Sequence, residues 1–385
     1  MSNKKENASC PLKKTSIGGQ ALLEGIMMRG PKKSAMAVRR PDGEMVVEVS
    51  DLKSADRKGF LKWPVVRGVV GFVDSMTVGY QAMMRSAELS GLDEAIEEEE
   101  REKAAKKAAK EQAKKAKKLG VTVEELAERE AAEKETASET ETVTENEEPL
   151  KEAVPAKKEE KKDTSGMMTG IMVVALILGL GLAMLLFKVL PESIYELLTW
   201  AIPSLEGEGY WFNLIRAAIT GVVKIAIMVA YMAAVALMKD IKRTFMYHGA
   251  EHKTIFCYEQ GLELTVENVR RQSRFHPRCG TSFLILMLLV SIVINMFIPA
   301  TLVDHKILNI IARTGIGLLT LPFIMGIGYE LIRFAGRHDN LFTRIISAPG
   351  VWLQHITTKE PDDSMIECAI AAVKEVIPED GSDNW

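Results

Sequence analysis

The stretch MMTGIMVVALILGLGLAMLLF, residues 167–187, carries no charged side chain over 21 positions. As a helix it rises about 30 Å, the thickness of a bilayer's hydrocarbon core. It reads as a membrane span. Three further segments qualify on the same grounds: 217–238 with one internal charge, Lys224; 281–303; and 308–329 with one, Arg313. The expected fold class is mainly α, a polytopic membrane protein of about four transmembrane helices preceded by a small cytoplasmic α+β region.

Charges beside these segments set an expected orientation. Between the second and third spans lie Lys239, Lys242, Arg243, Lys253, Arg270, Arg271, Arg274 and Arg278, whereas LPESIYELLTWAIPSLEGEGYW, residues 190–211, is acidic and aromatic and reads as the opposite loop. Basic loops stay in the cytoplasm. Four spans then place both termini there, in agreement with Arg333, Arg337 and Arg344 after the last one. The start, MSNKKENASCPLKKTS, is basic but lacks an apolar signal-peptide core, so no cleaved export signal is expected. Cys10, Cys257, Cys279 and Cys368 have no paired spacing, which argues against a disulfide framework. A net charge of −3, without a basic element carrying interleaved aromatics, argues against nucleic acid as a partner. The partner expected from composition is the lipid bilayer; a homo-oligomer stays open.

Five regions follow. Residues 1–16 read as a disordered tail. Residues 17–90 hold a β-hairpin, AMAVRR and EMVVEV about the turn PDG, and an apolar helix at 65–84 whose Arg67 and Asp74 fit an interfacial or core helix better than another span. From 91 to 165 the composition turns to EEEEREKAAKKAAKEQAKKAKK and then Glu, Thr and Lys repeats, a charged helical or disordered insert in which Thr122 and Glu125 are spaced as a capping box. Residues 166–340 form the membrane domain. Residues 341–385 end in an amphipathic helix, with Ser364 and Glu367 as its expected capping box and Ile366, Ile370, Val373 and Ile377 as its packing stripe.

The chemistry concentrates in FMYHGAEHKTIFCYEQG, residues 245–261. Residues four apart share a helix face, so His248 and His252 can present two imidazoles to one ion, with Glu251 beside them. The HxxEH order is that of inverzincin peptidases, whose histidines hold zinc and whose glutamate moves a proton from water. A solvated face with a local ion pair is the plain alternative. Farther on, RFHPRCGTSF supplies His276 and Cys279, two more residues of zinc-ligand type. Cys257 reads as a buried small apolar residue. Glu330 is either a downstream carboxylate ligand or the ion-pair partner of Arg333 or Arg337, and His338, Asp339 and Asn340 follow just outside the last span. His248 lies ten residues past Met238, so a bend must return it to the membrane edge. In SIGGQALLEGIMMRGPKKSAM, glycines permit a turn, structural or substrate-facing, and Gln20, Glu24 and Arg29 are candidate substrate contacts. It is no phosphate loop, since Pro31 stands where the lysine would follow.

With GGQALLEGIMMRGP, HGAEHKTI, HPRCGTSF and PGVWLQHITTKEP in this order, the chain resembles the YqhQ-like family of bacterial membrane proteins. The family is of unknown function and is classed as predicted metal-dependent enzymes. The resemblance implies a bacterial membrane location and places the family's motif positions on Gln20, Glu24, His248, Glu251, His252, His276, Arg278 and Cys279. The insert departs from the family's compact pattern. Two functions from different classes follow. One is a zinc-dependent (or other divalent-metal) hydrolase at the cytoplasmic face of the bacterial cytoplasmic membrane, with His248, His252 and one of His276 or Cys279 as ligands and Glu251 as catalytic base. The other is a scaffold or regulator in which His248, His252, His276 and Cys279 close a structural zinc site. A transporter is a weaker third, because the spans hold few ionisable groups beyond Lys224, Arg313 and Glu330.

Overall fold

A computed structural model describes residues 13–52, 59–91 and 164–384, apart from 206, 208, 300 and 339. The tail before residue 13, the insert with its Thr122 and Glu125, Cys10 and Asp339 lie outside them.

The N-terminal region forms a four-stranded antiparallel meander, β1 (Gly18–Leu22), β2 (Gly25–Arg29), β3 (Lys33–Arg39) and β4 (Met45–Asp51), in that order. The hairpin expected about PDG is β3–β4, pairing Arg39 with Met45 across a turn in which Gly43 has φ +88. The glycine-rich stretch ahead of it is not a turn but a second hairpin, β1–β2, tightly closed with Glu24 at φ 49. Its period of two is hidden because both sheet faces are covered. Ile26, Met28, Ala35 and Ala37 point into one core, while Leu22, Met27, Met36 and Val38 point into another with Leu89.

Helix α1 (Val66–Leu89) covers the second face with its C-terminal half. Its N-terminal half runs along α8 (Lys306–Arg337), where a Cβ on Gly326 would sit 2.3 Å from Val65 Cγ1 and one on Gly68 would sit 2.9 Å from Gly326 Cα. Across that contact Arg67 Nε donates to Glu330 Oε1 at 2.6 Å. The direct ion pair of Glu330 is therefore with Arg67 on α1.

Three helices among the described residues are long and apolar enough to cross a membrane: 174–201, 210–235 and 307–337. The first joins α2 (Thr164–Met184) to α3 (Leu190–Ala201) through a wider turn at Leu185–Val189. The segment expected to be a loop from residue 190 is thus helical to Ala201, and Pro191, which has no N–H to give the helix, follows directly on the wider turn. The second is α4 (Tyr210–Val235). Helix α7 (Gly280–Met296), expected as a span over 281–303, is apolar but only 17 residues long. Leucines exposed along these helices, among them Leu178, Leu182, Leu318 and Leu319, are tolerable only against lipid. This is a membrane protein.

After α4 the chain breaks at Met238, which is extended (ψ 135), before α5 (Lys239–Glu259). The helix is thus interrupted between the second span and His248. A short α6 (Val266–Arg270) leads to α7; α9 (Leu341–Thr357) packs on α7, and α10 (Asp363–Val376) lies between the sheet and α5. Ile366, Ile370 and Val373 are buried in the first core as expected, but the cap of α10 is Asp362, not Ser364. Asp362 accepts from Met365 N–H at 3.0 Å and also from the Ser364 hydroxyl, so the helix begins before Ser364 can cap it.

Candidate metal centre

Helix α5 carries HGAEH against the segment that follows α9. A Cβ on Gly249 would lie 2.0 Å from Lys359 O, so only glycine admits this approach, and Lys359 N–H donates to Phe245 O at 2.8 Å. The contact brings Thr357 O within 2.8 Å of His248 Nδ1. One turn on, His252 Nδ1 lies 2.6 Å from Arg274 O. The loop supplying that carbonyl is held by the buried Lys253 ammonium, which donates to Arg270 O and Gln272 O at 2.9 Å each.

A carbonyl oxygen only accepts, so both Nδ1 atoms carry protons and both Nε2 atoms are left as the ligand-side nitrogens. His252 Nε2 is buried with no partner. His248 Nε2 lies 3.0 Å from Cys279 Sγ. Cys279 caps α7, its sulfur accepting from Thr281 N–H at 3.4 Å. One ligand atom each from His248, His252 and Cys279 lies within 4.8 Å of the others. Imidazoles whose far nitrogens are anchored to carbonyls are the usual outer arrangement of a metal site. Burial opposes charge on both members of the His248–Cys279 pair, but each draws the other: His248 is pushed up to about 10 and the Cys279 thiol falls well below its ordinary range. A proton held between sulfur and nitrogen stands where a metal cation would displace it.

Glu251 lies on the same helix, and its Oε2 is buried without a partner. Burial pushes its carboxyl up, against the pull of His248 and His252; Gly19 N–H donates to it. A Cβ on Gly19 would be 2.9 Å from Glu251 Cδ and 2.7 Å from Met27 O, so β1 reaches the carboxylate only through glycine. His248, Cys279 and Glu251, but not His252, line a cavity of about 570 Å³ whose wall is mostly apolar and includes Gln20, Phe72, Phe283 and Tyr329.

His276 is buried beside His252 but outside the ligand group, its ring 5.7 Å from that of His252. Both its nitrogens are engaged: Nδ1 accepts from Arg278 N–H at 3.3 Å, and Nε2 faces Glu259 Oε2 at 3.5 Å. Burial holds it neutral, at about 4; Glu259 raises it, and Arg278 and His252 oppose that. The contact with Glu259 is therefore a hydrogen bond, while the ion pair is Arg278 with Glu259. Glu259 also accepts from Thr15 N–H at 2.9 Å.

Of the other positions singled out in the sequence, Gln20 reaches the cavity wall. Glu24 pairs with Arg243 through both oxygens, and Arg29 Nη1 donates to Ser75 Oγ at 2.9 Å. Cys257 is fully buried. His338 stacks on Phe334, and Asn340 caps α9. Residues that sequence reasoning passed over include Gln354, whose amide clamps His276 through its main-chain N–H (2.7 Å) and C=O (2.6 Å), and Glu259. The motif PGVWLQHITTKEP was the one signal pointing to Gln354, and its spacing carries no chemistry alone.

These features define a membrane protein with a buried His/Cys cluster at the end of its apolar helices. The chain belongs to the family described as proteins of unknown function, DUF1385, whose profile matches residues 63–379. It is 29% identical over 368 residues, 94% of this chain and 92% of the relative, to the uncharacterized protein YqhQ of Bacillus subtilis (strain 168). The motif resemblance to the YqhQ-like family is thereby established. No solved structure matches the chain.

Proposed function

We propose that the protein is a zinc-dependent hydrolase of the bacterial cytoplasmic membrane. His248, His252 and Cys279 are its metal ligands, and Glu251 takes a proton from water. The observation that carries this reading is the convergence of two anchored imidazoles and a thiol within 4.8 Å of one another, beside a buried, unpartnered carboxylate oxygen. Three protein donors, two of them on a cavity wall, fit the pattern of a catalytic zinc, whereas structural sites use four. With His276 engaged by Arg278 and Glu259, the fourth donor of a closed site is missing among the described residues. A zinc ion bound there supplies Lewis acidity and an acidified water. Glu251, lifted by burial, sits to accept the proton, and Gln20 and the apolar wall orient a peptide or lipid-linked substrate.

The finer topology belongs to the same proposal: α7 is a fourth span, at about 25 Å near the short limit of such helices, and both termini face the cytoplasm. The basic residues between α4 and α7 support that orientation.

The test is the metal content of the full-length protein. About one zinc per chain is expected in wild type and in Glu251→Gln, and its loss in His248→Ala and His252→Ala; equal, substoichiometric metal in all four ends the proposal. A second reading rests on the 3.0 Å His248–Cys279 contact at a helix N-cap: a cysteine nucleophile with a histidine base. His252 would then be dispensable, so hydrolysis surviving in metal-free His252→Ala would select it.

A further inference from the structure

The apolar helices hold a second polar cluster, remote from the metal centre. Lys188 and Glu192 come from the first candidate span, Arg216 and Lys224 from α4, and Arg313 from α8. Glu192 Oε2 accepts from Arg216 Nη2 at 2.6 Å and from its Nε at 3.0 Å, and Arg313 Nη1 lies 3.6 Å from Oε1. Lys188 donates to Thr314 Oγ1. No hydrogen bond or ion pair holds the Lys224 ammonium among the described residues, and it lines a small, mainly polar cavity of about 30 Å³ with Arg216, Arg313 and Asn295. Four cations thus face one carboxylate that two of them already share.

A formal excess of three positive charges among lipid-facing helices is costly unless an anion balances it. Guanidinium pairs favour oxyanions, which they grip with parallel N–H donors. The level is informative as well. Arg216 is six residues into α4 and Arg313 seven into α8, about 9–10 Å from the ends remote from α5. The exposed rings of Trp200, Tyr210 and Trp211 cluster at those ends, as aromatic residues do at the headgroup level. The cavity admits oxygen atoms but no acyl chain.

We propose that this cluster binds a phosphate group, that of an anionic phospholipid, at the membrane face opposite the metal centre. Lys224 and Arg313 hold its oxygens, and Glu192 keeps the two guanidinium groups oriented. The inference does not depend on the metal centre.

The test uses full-length protein taken from nanodiscs of phosphatidylcholine doped with phosphatidylglycerol and washed in a neutral detergent. Retained phosphatidylglycerol is counted per chain by mass spectrometry, and radiolabelled inorganic phosphate is measured in parallel by equilibrium dialysis. The expected result is about one phosphatidylglycerol per chain in wild type, no retained phosphatidylcholine, and at least a fivefold loss in Lys224→Gln and Arg313→Gln. Removing Arg313 also weakens the hold on Glu192, so Lys224→Gln, whose side chain supports no other residue, is the decisive variant. Inorganic phosphate binding with the same dependence on Lys224 upholds the phosphate site and assigns it a free anion. Wild type that binds neither, or binding unchanged in Lys224→Gln, overturns the proposal.

Discussion

Two buried polar clusters lie side by side at the end of α5 and α7, and they are built differently. Around Glu259 each charged group meets an opposite charge: Arg278 and Glu259 pair directly, and Asp383 Oδ2 accepts from Thr15 Oγ1 at 2.7 Å, from Tyr258 at 3.0 Å and from Lys13 at 3.4 Å. Around Glu251 the one close pair is His248 with Cys279, and among the described residues Glu251 meets no cation in a direct ion pair; its Oε2 and His252 Nε2 have no partner, whereas the orphaned atoms of the other cluster, Arg278 Nη1 and Asp383 Oδ1, belong to groups already paired with an opposite charge. Burying a polar group without a partner costs free energy, and the cost is greater for a carboxylate with no ion-pair partner than for a spare atom of a group that has one. The first cluster ties the N-terminal segment and Asp383 to α5; the second is the one to which the proposed chemistry is assigned.

That contrast breaks most visibly through stability. Glu259→Ala leaves Arg278 and the Thr15 N–H without their acceptor in a buried site, a loss of about 3–5 kcal/mol. In chelator-treated protein, His252→Ala should cost less, since its Nε2 is already unpartnered and the one hydrogen bond lost is that of Nδ1 to Arg274 O. Thermal unfolding in detergent compares the two, and equal shifts would erase the distinction.

Next in size is the pH response. His276 is held at about 4 in the folded chain against about 6.5 when unfolded, so it is neutral in the native state and binds fewer protons there. The stability this contributes is full above pH 6.5 and is lost as pH falls through 4, about 3 kcal/mol at most. The Glu259 carboxyl, pulled below its usual range mainly by His276 and Arg278 despite burial, adds a loss of the same sign at lower pH. In His276→Gln, the slope of stability between pH 6.5 and 4 should flatten by up to one proton; an unchanged slope would show that His276 is not the group responsible.

Gly19→Ala probes the other cluster. Its methyl group meets Glu251 Cδ and Met27 O inside contact distance, so we expect a cost of about 1–3 kcal/mol and a displaced carboxylate, with zinc retained because no ligand moves. Loss of metal in this variant would make Glu251 part of the ligand set. The smallest effect should come from a cap outside both clusters: Asp362→Ala, at about 1 kcal/mol, checked by hydrogen exchange at the start of α10.

What could be read from the sequence follows the range of the forces involved. Membrane-spanning character is additive along the chain, so 167–187 and 308–329 were legible, with helix ends displaced by several residues. The one-turn spacing of His248 and His252 was legible because a helix fixes it. Strand β2 was not, since a strand buried on both faces loses its alternation. Glu330 misled because its local neighbours Arg333 and Arg337 are visible in sequence, while Arg67, 263 positions away, is not. Lys224 and Arg313 looked isolated for the same reason: Glu192 and Arg216 join them only when the helices pack.

From the sequence alone came the apolar helices, the β3–β4 hairpin, the family and the residue types of the candidate centre. These depend on hydrophobicity and on distances of a turn or less along the chain. Only the tertiary structure decided that Cys279 joins the two histidines while His276 is turned toward Glu259 and Arg278. Which way a buried ring faces is set by hydrogen-bond partners from distant segments, here Thr357, Arg274 and Gln354, and no local pattern encodes where those will arrive.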